Sequence, residues 1–137
     1  MSANTTATSE LTGALVFVVD DNELLGEITA QLISSAGYRT RLFHQGRPAR
    51  DAMLTAPVTP RVLVTDFDIG DINGLDLIRE ARAHLPGIKT LLVSGTAAPE
   101  ALAAHPIKPD AFLAKPFLAA TLIGTVDQLL TPSRATV

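Results

Sequence analysis

The sequence contains no cysteine and no tryptophan. The first absence excludes disulfides and thiolate metal sites. Aromatic residues make up only 4%, so Leu, Val, Ile and Ala must fill any core. There is no block of Lys and Arg, and the net charge is −3. That argues against nucleic acid as the direct partner, because phosphate binding needs clustered cations. No apolar run approaches the roughly 18 residues needed to span a membrane, so no membrane association is expected. The opening "MSANTTATSELTG" is polar and lacks the basic-then-apolar layout of a signal peptide. A cytoplasmic location is the expectation. What is present is 47% apolar and 18% charged residues in a chain of 137, the composition of one globular domain with a single core.

Apolar periodicity then orders the chain. Residues 1–12 are aperiodic and read as a disordered lead; residues 132–137 read as a tail. "ALVFVV" (14–19) is a continuous apolar run of strand length that stops at Asp20 and Asp21. A run without alternation fits a strand buried on both faces. Asn22 can cap the helix that follows, in which Leu24, Leu25, Ile28, Leu32 and Ile33 form an apolar stripe ending at Gly37. "YRTRLF" (38–43) alternates, as expected of a strand near an edge. Residues 46–56 suggest a short helix with Pro48 in its first turn. "RVLVTD" (61–66) is a second apolar strand ending on an acid. Residues 74–85 predict a helix with Leu75, Ile78, Ala81, the Arg82 stem and Leu85 on one side, ended by Pro86 and Gly87. "KTLLVSG" (89–95) is a strand ending in Ser94. Residues 98–105 suggest a short helix, and "DAFLAK" (110–115) a strand ending at Lys115. A last helix is expected from Pro116 to about residue 130. Strand and helix alternate five times, which predicts an α/β fold: a doubly wound, five-stranded parallel sheet with helices on both faces.

In such sheets ligands sit beyond the carboxyl ends of the strands. Here those ends carry Asp20, Asp21, Asp66, Ser94 and Lys115. One acid after one strand is commonly a helix cap or a solvated loop residue. Four strands ending in charge or hydroxyl on one rim point to chemistry. Three carboxylates in contact would repel unless a cation sat among them. Mg²⁺ takes one or two carboxylates together with waters and phosphate oxygens. Lys115 offers a compact positive charge for phosphate oxygens, and Ser94 a donor. Asp66 could attack phosphorus and become an aspartyl phosphate, a reaction in which the protein mainly positions groups and neutralises charge.

The segments "VVDDNE", "VLVTDFDIGDINGLDLI", "LLVSG" and "FLAKPF", in this order, resemble the CheY-like receiver domain of two-component response regulators. The likeness covers about residues 13–131. It implies a flavodoxin-like sheet in the order 2-1-3-4-5 and the following roles. Asp66 would be the phosphoacceptor. Asp21, Asp66 and the backbone carbonyl of Asp68 would bind Mg²⁺, with Asp20 acting through water. Ser94 would be the switch hydroxyl and Phe112 the switch aromatic. Lys115 would pair with the phosphoryl group, before Pro116, where the family often has a cis peptide. Gly74 would hold the turn after the phosphoacceptor loop. The family implies a phosphoryl donor, either a sensor histidine kinase or a histidine phosphotransfer protein. It also implies output by protein contact through the face of the fourth helix, fifth strand and fifth helix, where Ala101, Leu102, Ala104, Pro106 and Ile107 are small or apolar.

Some positions depart from the family pattern. Asp68 is acidic where neutral or apolar residues are more frequent. Gly70 replaces a frequent proline, which should loosen the loop. Gly95 replaces a common alanine, and Phe112 a common tyrosine. Asp68 and Gly95 are therefore candidates for tuning the lifetime of the phosphorylated state. Asp71 reads as a solvated loop residue, and His44, His84 and His105 as surface residues. Other readings remain. The protein could be a free-standing receiver, with a tail too short for an output domain, or the receiver of a hybrid histidine kinase. It could be a pseudo-receiver that only binds partners. Or it could be a haloacid-dehalogenase-type phosphatase, which shares the "hhhhDxD" pattern and would make Asp68 a general acid.

Overall fold

The computed structural model describes residues 13–55, 58–95 and 99–131. The expected lead and tail, Ala98 at the start of the expected fourth helix, and the Ala101 side chain lie outside the described residues. Ten elements follow in strict alternation: β1 (Leu15–Val19), α1 (Glu23–Ser35), β2 (Arg39–Phe43), α2 (Gly46–Thr55), β3 (Val62–Asp66), α3 (Gly74–His84), β4 (Lys89–Ser94), α4 (Pro99–Ala104), β5 (Ala111–Ala114) and α5 (Ala119–Leu130). All pairings are parallel and the strand order is β2-β1-β3-β4-β5, as the resemblance implies.

Strand alternation divides the core between the two faces of the sheet. Val16, Val18, Val62, Val64, Leu91 and Val93 pack against Ala30 and Ile33 of α1 and Leu122, Val126 and Leu130 of α5. Leu15, Phe17, Val19, Leu63 and Leu92 pack against Ala49 and Met53 of α2 and Leu75, Leu77, Ile78 and Ala81 of α3. Each fully buried Leu or Val contributes about 1.5–3 kcal/mol relative to exposure. The central strands are apolar at every position because both faces are covered. β2 is an edge strand, and it keeps Arg39 and Arg41 exposed, a charge pattern that discourages edge pairing.

Two expectations are corrected by the packing. The apolar stripe expected on α1 splits. Its buried residues are Gly26, Thr29, Ala30 and Ile33, whereas Leu24, Leu25 and Ile28 are exposed. The reason is close approach of the helix to the sheet. A Cβ on Gly26 would lie 3.0 Å from Leu42 Cδ1 and 3.4 Å from Asp20 Cβ. The small residues therefore face the sheet and the leucines beside them turn outward. The second correction concerns α5. It begins at Ala119 instead of Pro116, because Leu118 is extended and occupies the N-cap position. The Lys115–Pro116 peptide is cis. On α3, Leu77 is buried alongside the expected stripe.

At the amino ends of β4 and β5 a polar cluster fixes their register. The buried Thr90 hydroxyl donates to Asp110 (2.9 Å) and accepts from the Asp110 N–H (3.0 Å) and Arg82 (3.2 Å). The Thr90 N–H also donates to the Asp110 carboxylate (2.8 Å). Alignment of β5 at this end determines where Lys115 emerges at the other.

Gly74 shows how tightly the β3–α3 turn is closed. Its N–H donates to the Phe67 carbonyl at 2.6 Å. A Cβ there would sit 2.1 Å from the Asp66 carbonyl oxygen, a backbone atom that cannot move aside. Gly74→Ala is expected to cost about 3 kcal/mol, the upper end of ordinary point-mutation effects. Urea unfolding measures it; an unchanged midpoint would show that the turn has slack.

Candidate functional site

Three strand ends supply the charged groups of the rim. β1 runs out at Asp20 and Asp21, β3 ends in Asp66, and Lys115 follows β5. Asp20 is buried, 4% exposed. Its Oδ1 accepts the Asn22 N–H at 2.9 Å, and its Oδ2 lies 2.9 Å from Lys115 Nζ. Asp66 Oδ2 lies 3.2 Å from the same Nζ, and its Oδ1 accepts the Phe67 N–H at 2.7 Å. One ammonium thus bridges two carboxylates from different strands. Asp21 is exposed but completes a set: Asp20, Asp21 and Asp66 each offer a carboxylate oxygen within 4.8 Å of the others.

The electrostatics follow from this crowding. Burial pushes Asp66 above the ordinary carboxylate range. Lys115 and the Phe67 N–H act against the rise, and the Asp20 charge adds to it. Burial by itself would lower the Lys115 ammonium, but Asp20 and Asp66 outweigh it and raise it, so it stays charged. Three carboxylates against one ammonium leave an excess of negative charge. Oxygen donors in that arrangement fit a small divalent cation such as Mg²⁺.

The other expected residues gather around this centre. Ser94 is buried (3% exposed) at the end of β4, and its carbonyl accepts the Lys115 N–H at 3.1 Å. A methyl group on Gly95 would stand 3.3 Å from Lys115 Cβ, so a substitution there presses on the lysine stem. Asp68 is exposed. Its backbone bridges to Asn73 across the loop, and its carboxylate accepts the Gly70 N–H at 3.3 Å. Gly70 has φ +87°. Proline, locked near −65°, could not adopt it. Phe112 is 41% exposed. With Ser94, Leu102, Ala103, Ala114 and Lys115 it lines an open groove of about 840 Å³.

Asp71 corrects the expectation of a solvated loop residue. Its Oδ1 accepts the N–H groups of Gly46 (2.8 Å) and Ile72 (2.9 Å), and its Oδ2 that of Arg47 (2.9 Å). Burial opposes its ionisation, but the Arg47, Gly46 and Ile72 donors outweigh it and hold the carboxyl below its ordinary value. Two of the histidines also have partners. His44 is half-buried, and its Nδ1–H donates to the Asp20 carbonyl at 2.9 Å. His105 Nδ1 accepts the Ile107 N–H at 3.0 Å, and its Nε2 lies 3.5 Å from Asp76. His84 is exposed, as expected.

A second groove, of about 310 Å³, opens on the other side of Lys115. It is lined by Leu25, Ile28, Leu32, the Lys115 stem, Pro116 and Phe117. Leu24 (66% exposed) and Leu118 (74% exposed) extend the apolar surface around it. The sequence pattern held a signal for this groove: five leucines and isoleucines crowd the first three turns of α1, more than one core-facing stripe needs.

The sequence matches the family model of the response regulator receiver domain over residues 16–127. The transcriptional regulatory protein CssR of Bacillus subtilis (strain 168) is 26% identical over 116 residues, 84% of this chain and 50% of CssR. The sensory/regulatory protein RpfC of Xanthomonas campestris pv. campestris (strain 8004) is 29% identical over 124 residues, 87% of this chain and 17% of RpfC. The chain spans about half the length of CssR and less than a fifth of RpfC. Among solved structures, the response regulator receiver domain protein (CheY-like) from Methanospirillum hungatei JF-1 superposes with a TM-score of 0.78 at 21% identity. That match covers 85% of this chain and 93% of the other, and at this identity the likeness is one of fold. Since the family model extends from β1 into α5, the chain belongs to the response regulator receiver domain family.

Proposed function

We propose that the protein accepts a phosphoryl group on Asp66 from a phosphohistidine and signals its phosphorylation state by protein contact. The observation that carries this reading is the Lys115 ammonium, 2.9 Å from Asp20 and 3.2 Å from Asp66. A pseudo-receiver would have no use for three clustered carboxylates with a lysine held against two of them. The phosphatase reading, in which Asp68 is a general acid, is disfavoured because Asp68 is exposed and its carboxylate is turned to the Gly70 N–H.

In the proposed reaction an Asp66 oxygen attacks phosphorus. The bond from phosphorus to the histidine nitrogen breaks, and the imidazole leaves with the electron pair. Asp20, Asp21, Asp66 and the Asp68 backbone carbonyl would hold Mg²⁺, which when bound neutralises charge on the transferring phosphoryl oxygens. Lys115 Nζ, now 3.2 Å from Asp66, would pair with a phosphoryl oxygen. Ser94 donates to another. The family's switch then has Phe112 turn inward from its exposed position, which would reshape the groove beside Leu102 and Ala103. Output through the α4–β5–α5 face follows from that change.

The apolar groove beside α1 suits the phosphoryl donor, a sensor histidine kinase or a histidine phosphotransfer protein. It shares Lys115 with the site, so a helix seated there brings its histidine to the rim. The reaction uses only this rim, so the reading holds for a free-standing receiver and for one carried by a hybrid kinase. Either would act in the cytoplasm. No helix among the described residues is long and apolar enough to cross a membrane.

Incubation with acetyl phosphate, or with beryllofluoride, and Mg²⁺ tests the central claim by phosphoprotein gel and NMR. The wild type is expected to respond and Asp66→Asn to be silent; silence in the wild type, or an undiminished response in the variant, would overturn it. Asp66→Asn also has a signature in stability. A carboxyl whose folded pKa is raised contributes stability at pH below its unfolded value and loses it as pH rises through the folded value. Urea midpoints of Asp66→Asn without Mg²⁺ should therefore gain on wild type as pH rises through the acidic range. Wild type gaining on Asp66→Asn over that range would contradict the assignment. Finally, Asp68→Asn and Gly95→Ala should each alter the rate of dephosphorylation while leaving Asp66 competent. Decay rates equal to wild type in both would remove their tuning role.

A further inference from the structure

The carboxylate of Asp71 has no part in the reaction above, yet it makes the most complete set of contacts in the phosphoacceptor loop. Three N–H groups converge on it, and two of them, from Gly46 and Arg47, open helix α2, 25 and 24 residues away in sequence. The first N–H groups of a helix lack intrahelical acceptors and carry the positive end of its dipole. Here the acceptor comes from the loop that follows β3. The loop is also held beneath by Ile69, fully buried, and Ile72. A Cβ on Gly46 would fall 2.6 Å from Ile72 Cγ1 and 2.8 Å from Ile69 Cδ1, so helix and loop touch closely at this point. Nearer the site, the loop is closed by the Asp68–Asn73 bridge and the Gly74 to Phe67 hydrogen bond. Between Asp68 and Asp71 lies Gly70 at φ +87°, the most permissive residue in the segment.

We propose that Asp71 is a positioning residue for the divalent cation: by docking the loop onto the α2 N-terminus it holds the Asp68 carbonyl where the cation takes it as a ligand. This rests on the reading of Asp20, Asp21, Asp66 and the Asp68 carbonyl as the cation site. Without the dock, Gly70 lets the Asp68 peptide shift against its bridge to Asn73, and the cation loses part of a preorganised neutral ligand. The carboxylate ligands remain.

Calorimetric Mg²⁺ titration of the whole chain tests it, on wild type, Asp71→Ala, Asp71→Asn and Leu54→Gly. Asp71→Ala should bind Mg²⁺ about ten-fold more weakly, the lower end of what partners behind metal ligands contribute. Asp71→Asn keeps one acceptor oxygen and should fall between. Leu54→Gly weakens α2 at an exposed position without touching the loop, and should unfold more easily yet bind Mg²⁺ like wild type. At saturating Mg²⁺, phosphorylation of Asp71→Ala by acetyl phosphate should return to the wild-type rate. Unchanged Mg²⁺ affinity in Asp71→Ala, equal weakening in Leu54→Gly, or a rate still depressed at saturation would each overturn the positioning role. Should Asp71→Ala fail to fold, wild-type affinity in Asp71→Asn overturns it. Absence of binding in wild type would overturn the cation site and this proposal together, in an arm separate from the variants.

Discussion

The arrangement at the rim depends on one ion triad: the Lys115 ammonium held between the carboxylates of Asp20 and Asp66. Each partner comes from a different strand. Strand order sets the difficulty. β1 and β3 are neighbours, but β5 lies beyond β4, so Lys115 must reach across the end of β4. Its backbone N–H bonds to the Ser94 carbonyl, and Gly95 leaves room beside its Cβ. A long, flexible stem ending in a compact charge does this better than a guanidinium, which brings its own planar geometry. Two carboxylates largely withdrawn from water repel each other and cost desolvation, and one ammonium offsets only part of that. The remainder is an electrostatic debt that a divalent cation or a phosphoryl–lysine pair can relieve, and it gives the site two alternative ways of balancing charge.

Such a site reduces stability, and the rest of the chain has to offset it. The sheet does so through its doubly covered centre. β1, β3 and β4 are buried at nearly every position, and the small side chains of α1 let that helix come close. The Thr90–Asp110–Arg82 cluster holds the far ends of β4 and β5 through hydrogen bonds at the Thr90 hydroxyl and the Asp110 carboxylate. Rigid strands at one end allow charged side chains at the other to be placed to within ångströms. The β3–α3 turn is equally constrained: Gly74 admits no Cβ against the Asp66 carbonyl.

The sequence carried the strands and the charged rim clearly because both are signals local in the chain. A parallel strand buried on both faces is a short run of Val and Leu, and each run stopped at a charged or hydroxyl residue. Nothing local says which way a helix turns. Apolar spacing puts Leu24, Leu25 and Ile28 in one stripe with Ile33, but Gly26 and Ala30 decide the packing by allowing a close approach. Asp71 reads as solvated in sequence because its partners, Gly46 and Arg47, lie far back in the chain. His44 and His105 escaped for the same reason: their acceptors and donors belong to other segments or to main-chain atoms. Pro116 pointed to a helix start, whereas extended Leu118 delays α5 by three residues.

The two apolar grooves have Lys115 as a common wall. One is bounded by α1 and the segment after β5, the other by α4 and β5. The charge of the lysine is committed to Asp20 and Asp66, while its stem packs toward both grooves, which is how a long cationic side chain can belong to polar and apolar surroundings at once. On the proposed function, a donor seated in the first groove and an output partner in the second would both sense the same side chain. On that reading, relocation of Nζ from Asp66 to a phosphoryl oxygen would move the stem as well. Gly95, whose added methyl would meet that stem at 3.3 Å, sits where the movement has to pass. On that reading the charge balance at Asp66 and the shape of both surfaces are linked through Lys115.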